Sequence, residues 1–237
     1  MVCVGLQKLS TFTEWAKEAG FRQLGAEVCW FLHERYRAML VIYVDDLLVA
    51  GETRREIQLG QEMVGARFQV RHMGVPEFFL GMNVQYSVET RQLHISQRTY
   101  VEALREKYRA FIRAPRSLPI VCGVTLNKEQ GELNPTRHPY SSLVGALLFL
   151  SVCTRPDISF AVGILSKFNS NPGVEHWRVA VDVLSYVVGT KEKGVMLGDV
   201  QKVEKGIIGF ADSDWANDTD DRKSVSGGAL FIGGVVF

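Results

Sequence analysis

The residues of this sequence best suited to chemistry are Tyr43-Val44-Asp45-Asp46, set inside the apolar run AMLVIYVDDLLVA at 38–50. Two adjacent carboxylates in such a run are costly unless they sit at a turn or bind something. Leu40, Ile42 and Val44 alternate before the pair, and Leu47 and Val49 after it. That pattern predicts two antiparallel strands joined by a tight turn at Val44-Asp45, with carboxylates at the tip. Carboxylates held in this way suit magnesium, which takes one or two of them and completes its octahedron with waters and substrate phosphates. In nucleotidyl transfer two such ions activate the attacking hydroxyl and stabilise the leaving oxygen. An Asp-Asp pair alone is an unspecific signal, and the apolar hairpin around it is what gives it weight.

Sequence periodicity identifies the elements that must hold this tip. Leu9, Phe12, Trp15, Ala16 and Ala19 recur at helical spacing and Gly20 supplies a stop, which predicts a helix over 9–20. Residues 28–32 and 38–50 are strand-like, and Ile57, Met63, Val64 and Phe68 predict a helix over 52–68. Strand character returns from Phe78 to Tyr86 and from Gln92 to Ser96, followed by a helix from Gln97 to Tyr108. Seven basic residues (Arg91, Arg98, Arg105, Lys107, Arg109, Arg113, Arg116) face only Glu102 and Glu106 across 91–116. One side of that helix could meet phosphates, although a solvated helix face explains the cluster equally well.

Residues 114–139, rich in Pro, Gly and polar types, mark a connection. Helices follow over 141–153, with Ser141 as N-cap, from Pro156 to Phe168, and over 175–188, the last presenting Trp177, Ala180, Val183, Leu184 and Val187 on one face. Strand-like GIIGFAD and GGALFIGGVVF then flank five aspartates between 212 and 221.

Over 237 residues, 27 Lys+Arg against 26 Asp+Glu give a net charge of +1, which excludes a strongly basic nucleic-acid-coating protein and a highly charged disordered chain. Cys3, Cys29, Cys122 and Cys153 lie far apart without a C-x-x-C pair, which argues against a disulfide framework or structural zinc and for a reducing compartment. The five histidines form no ligand pair on one face, and none is assigned to metal. No signal peptide is visible, and the longest apolar stretch, Leu143 to Cys153, falls well short of the ~20 residues of a spanning helix.

The string VIYVDDLLVAG at 41–51 closely resembles the catalytic hairpin of reverse transcriptases from copia-type LTR retrotransposons. Other strings resemble the same family in the same order: Gly20-Phe21 with Val28-Cys29-Trp30-Phe31, Met73-Gly74, Phe79-Leu80-Gly81-Met82, His94-Ile95-Ser96-Gln97 with Tyr100, and Pro139-Tyr140 with Leu143-Val144-Gly145-Ala146-Leu147. Thr154-Arg155-Pro156-Asp157-Ile158, His176-Trp177 and Gly189-Thr190 continue it, and Asp212-Ser213-Asp214-Trp215-Ala216 with Asp221-Arg222-Lys223-Ser224 is similar to the opening of the family's ribonuclease H domain. The resemblance implies an α+β fold: a partial palm with the catalytic hairpin over 1–90, a thumb-like basic region and linker over 91–138, a helical connection over 139–198 and truncated ribonuclease H-like strands over 199–237.

It also implies roles. Asp45 would coordinate catalytic Mg2+ with Asp46 as its more peripheral neighbour, and Tyr43 and Val44 would lie beneath the primer terminus. Leu80 and Gly81 would help hold the primer strand, while Arg98, Arg105, Lys107 and Arg109 would track the template–primer backbone. Asp212 would be the first metal-binding aspartate of ribonuclease H. Implied partners are an RNA or DNA template–primer, deoxynucleoside triphosphates and the remaining polyprotein segments or another subunit, in an intracellular setting, cytoplasmic or nuclear.

The family places another metal-binding aspartate on a strand ahead of the hairpin and further ribonuclease H carboxylates after Asp212, and this sequence contains neither. Its Gly5-Leu6-Gln7-Lys8 is only a superficial echo of the family's GLKQSP string. The expectation is a two-metal site incomplete in this chain and a polypeptide inactive by itself. The alternative is a non-catalytic remnant serving as a nucleic-acid-binding or structural module.

Overall fold

The computed structural model describes residues 2–4, 9–25, 29–44, 46–121, 124, 126–127, 137–198, 207–213, 222, 224–232 and 235–236. The chain divides into two compact units, residues 1–76 and 77–237.

The first unit is an antiparallel sheet backed by two helices. Its elements are β1 (Val2–Val4), α1 (Leu9–Glu18), β2 (Arg22–Gln23), β3 (Trp30–His33), β4 (Ala38–Tyr43), β5 (Asp46–Ala50), α2 (Arg54–Arg67) and β6 (Val70–His72), with strand order β2-β3-β4-β5-β1-β6. Side chains alternate across a strand, so one face of β3, β4 and β5 carries Phe31, Ala38, Leu40, Ile42, Leu47 and Val49, all buried. Phe12 and Ala16 of α1 and Val64 of α2 close the same core. Helix α2 is fixed at its start by a reciprocal capping box: the Glu56 amide donates to the Thr53 hydroxyl (3.3 Å) and the Thr53 amide to the Glu56 carboxylate (2.9 Å). A Cβ at Gly60 would lie 2.9 Å from Val49 Cγ1 and 3.2 Å from Ala38 Cβ. Only glycine lets the helix backbone approach the β4–β5 hairpin so closely.

The second unit begins with β7 (Phe78–Phe79), β8 (Met82–Ser87) and β9 (Gln92–Ser96), joined by β10 (Gly194–Leu197) in an antiparallel sheet of order β10-β9-β8-β7. Its helices are α3 (Arg98–Lys107), α4 (Tyr140–Cys153), α5 (Ser159–Ser166), entered through a 3-10 turn at Pro156–Ile158, and α6 (Val174–Gly189). A separate three-stranded sheet holds β11 (Ile207–Ser213), β12 (Ser226–Ile232) and β13 (Val235–Val236).

Val101 and Leu104 of α3 share one core with Leu143, Leu147 and Leu150 of α4, Val162 and Leu165 of α5, and Ala180, Val183, Leu184 and Val187 of α6. Ser141, expected as an N-cap, lies inside the first turn of α4 and donates its hydroxyl to the Asn169 carbonyl (3.3 Å). Helix α4 starts after Pro139, whose fixed φ suits a helix entrance and whose side chain caps nothing.

Several polar groups inside this core are paired. Thr154 donates to the Gln97 side-chain oxygen at 2.8 Å, and Tyr140 to the Leu165 carbonyl at 2.8 Å, with burial pushing the Tyr140 hydroxyl well above its ordinary range. The Gly173 amide donates to His176 Nδ1 (2.7 Å), so the imidazole closes the start of α6 while stacking on Phe168.

Arg155 is the largest fully buried side chain among the described residues. It grips both oxygens of Asp157 at 2.9 Å and donates to the Thr190 carbonyl (3.2 Å) and hydroxyl (2.8 Å) at the end of α6. Tyr186 adds a bond to Asp157 at 2.8 Å. Burial pushes the Asp157 carboxyl up. The hydrogen bonds from Arg155 and Tyr186, and the charges of Arg155 and Lys193, outweigh that and hold it below the usual carboxylate range. A carboxylate depressed in the folded state contributes stability above its unfolded value, about 3.9, and loses it as pH falls through the folded value. Amide protection in α6 should therefore weaken below about pH 4. Asp157→Asn should be less stable at neutral pH and lack that acid-dependent loss; an unchanged profile in the variant would assign the dependence to another group.

Candidate functional site

Tyr43 and Asp46 are direct partners in the β4–β5 register, so residues 44 and 45 are the whole connection. Val44 has φ +52°, the sign a two-residue hairpin turn of the primed type requires. The expected turn is thus present, while Asp45 itself lies outside the described residues. Val44 does not extend the inward alternation of Leu40 and Ile42. It is lifted out at the turn, 73% exposed, and the covered face ends at Ile42 and Leu47.

Asp46 is half-buried and lies on the sheet face opposite Leu47, away from α1 and α2. The next positions along its row are Cys3 of β1 and Arg71 of β6. The strand beside Asp46 therefore has the sequence VCV and brings no carboxylate. One carboxylate here, with Asp45 next to it in sequence, is the donor type a hard cation takes. Among the described residues no group of three His, Cys, Asp or Glu could hold a metal ion.

The four cations expected to act together in the second unit separate into two sets. At 100° per residue, Arg98, Arg105 and Arg109 fall on one stripe of α3 and its exit, with Val101, Leu104 and Tyr108 turned to the core. Lys107 lies on the other flank, where it donates to the Ser142 hydroxyl of α4 (3.2 Å) and sits over the Tyr108 ring. Arg98 pairs with Glu102 (3.7 Å) and Glu192 (3.8 Å), and Arg109 with Glu106 (3.3 Å). Lys191 also pairs with Glu102, and its hydrogen bond and charge, ahead of those of Arg98 and Arg105, hold that carboxyl low. Arg105 forms no ion pair among the described residues. Exposed pairs of this kind are worth ~1 kcal/mol or less, so a phosphate can displace them cheaply.

Leu80 and Gly81 form the two-residue loop of the β7–β8 hairpin, with Phe79 opposite Met82 and φ of +52° and +79°. Gly81 takes a left-handed conformation freely, whereas Leu80 pays on the order of 1 kcal/mol. Asp212 is exposed on β11 opposite Gly227 and accepts a hydrogen bond from the Ser213 amide (3.0 Å). Asp214 lies outside the described residues.

Two features were invisible as site elements in the sequence. The Arg155 network joins residues up to 35 positions apart, and no periodic signal marks it. Trp30, in the segment before the hairpin, is 43% exposed on the same open face as Tyr43.

Residues 5–121, which include the β4–β5 hairpin and α3, match the family described as reverse transcriptase (RNA-dependent DNA polymerase). The chain belongs to that family, in its copia-type retrotransposon branch. It is 34% identical over 205 residues to the retrovirus-related Pol polyprotein from transposon TNT 1-94 of Nicotiana tabacum, covering 84% of this chain and 15% of that protein. It is 30% identical over 216 residues to the retrovirus-related Pol polyprotein from transposon RE2 of Arabidopsis thaliana, covering 90% and 14% respectively. An uncharacterized mitochondrial protein of Arabidopsis thaliana is 30% identical over 194 residues, 82% of this chain and 78% of that one. The chain thus spans 15% or less of the length of these Pol polyproteins. No solved structure matches it. Because the family match starts at residue 5, it takes in Gly5-Leu6-Gln7-Lys8, which therefore counts as part of the likeness; these residues lie outside the described ones.

Proposed function

We propose that this chain is the portion of a copia-type reverse transcriptase that carries the catalytic hairpin and grips the template–primer, and that alone it binds nucleic acid without extending a primer. The hairpin carries this reading: Asp46, adjacent in sequence to Asp45, flanks a two-residue connection opposite an exposed Tyr43. In this reading the first unit is palm, α3 belongs to the thumb, α4 to α6 form the connection, and β11 to β13 open a ribonuclease H-like domain with Asp212 as its first carboxylate. Asp45 and Asp46 would hold magnesium, which supplies positive charge for phosphoryl oxygens. Tyr43 and Val44 lie under the primer terminus, Leu80 and Gly81 hold the primer strand, and Arg98, Arg105 and Arg109 track phosphates, with Lys107 on a separate flank.

The row that contains Asp46 supports the expected inactivity: its neighbour strand has the sequence VCV and adds no carboxylate where the family would need a further metal-binding aspartate. Losing one of two metals costs about 4 kcal/mol or more of transition-state stabilisation, a thousandfold in rate. Mobility shifts of a labelled RNA–DNA template–primer should show affinity falling linearly with log salt. Arg105→Ala with Arg109→Ala should flatten that slope by nearly two. Primer extension with magnesium should give no product. Template-dependent product that vanishes in Asp45→Asn would sink the inactivity, and absent or salt-independent binding would sink the grip and leave a structural remnant.

A further inference from the structure

The sheet of the first unit has a second face that α1 and α2 leave uncovered. Register assigns it: Arg22 pairs with Leu32, Trp30 with Val41, Met39 with Ala50, Tyr43 with Asp46, and Asp46 continues to Cys3 and Arg71. Its middle is apolar, with Leu32, Met39, Val41 and Leu48 each only half-buried. Two aromatic residues on this face stay open to solvent, Trp30 at 43% and Tyr43 at 56%. They are diagonal neighbours, because Trp30 opposes Val41 and Tyr43 lies two residues further along β4.

We infer that Trp30 and Tyr43 form a stacking platform for an unpaired base of a single-stranded nucleic acid running across this face to the hairpin. The inference rests on the nucleic-acid reading proposed above and adds Trp30 as a binding residue. Diagonal cross-strand neighbours stand ~7–8 Å apart, close to twice the ~3.4 Å rise between stacked bases, so one base fits between two rings. Continuity favours nucleic acid over a protein as the occupant: the platform shares a face with Asp46 and Arg71, and Tyr43 borders the connection where the primer end is proposed to lie. Stacking on an aromatic side chain tolerates any base and adds affinity without adding phosphate contacts.

Fluorescence anisotropy of a labelled oligothymidylate, titrated with the full chain across a salt series, tests this. Trp30→Ala should weaken binding about five- to a hundredfold with the salt slope unchanged, and Trp30→Phe should retain most of the affinity. A blunt DNA duplex should bind wild type and Trp30→Ala equally, since it offers no unpaired base to stack. If Trp30→Ala does not fold, Trp30→Thr, which suits an exposed strand position, carries the same expectation. Wild-type binding that Trp30→Ala leaves unchanged overturns the platform while sparing the nucleic-acid reading. No binding by wild type at any salt overturns both. A concentration-dependent dimer abolished by Trp30→Ala, with oligothymidylate affinity intact, would make the face a contact between copies of this chain and overturn the platform.

Discussion

Replacing Arg155 with methionine should destabilise the helical core of the second unit by about 3–5 kcal/mol. The side chain is 2% exposed, and its guanidinium satisfies the Asp157 carboxylate and the Thr190 carbonyl at once. Methionine fills much of the volume but leaves a carboxylate in a partly buried site with only the Tyr186 hydroxyl and the Lys193 charge to compensate. The asymmetry between breaking a buried pair and removing both partners makes a sharper test. Arg155→Met combined with Asp157→Leu should recover much of the loss. Hydrogen exchange of the α6 amides reads the local opening free energy. Protection as strong in Arg155→Met as in wild type would show that packing, not this network, holds the end of α6. The loss should spread to β10, which begins four residues after Thr190 and pairs along β9, the strand that leads into α3.

Phe12→Ala should cost the first unit about 3–5 kcal/mol. Its ring is wholly buried, 5.2 Å from Trp15, 5.6 Å from Phe31 and 5.5 Å from Phe68. Those partners come from α1, β3 and the exit of α2, so no single element can collapse into the space left behind. Both the transfer energy of the ring and the cavity therefore count. Phe12→Leu, which retains most of the apolar volume, should cost less than half as much. Denaturant midpoints for the three proteins check this, and a Phe12→Ala loss under about 1 kcal/mol would mean that the helix layer relaxes freely around the site.

The hairpin was legible because its information is local. Alternation through Leu40 and Ile42, then Leu47 and Val49, sets the covered face, and the acidic pair in an apolar run marked the break between the strands, although Asp46 proves to be the first residue of β5 rather than part of the turn. The strands β1, β2, β6 and β10 were not legible, since two to four residues carry no period and their pairing comes from partners distant in sequence. Helix α4 was evident from length and composition, but its apolar residues surround it, so nothing in the sequence distinguished buried Leu147 from Val152, which is 77% exposed. The basic cluster was legible only as a count. Whether Lys107 joins Arg105 depends on helical phase and on the Ser142 hydroxyl across the core, neither of which a charge count contains. Arg155 stood out as part of a family string, while its partners could be assigned only once Thr190 was seen beside it.

The capping box at Thr53 has a consequence for folding order. Strand β5 ends at Ala50 and α2 begins at Arg54, so residues 38–67 join hairpin and helix through short connections, and α2 packs back on the two strands just before it at Gly60. Short loops close at low entropic cost, and structure rich in local contacts forms early. This segment should act as the nucleus of its unit, with β1, β2 and β6 added afterwards. The carboxylate tip would then be assembled before the strand that comes to lie beside Asp46, and mutations at Gly60 should slow folding more than they speed unfolding.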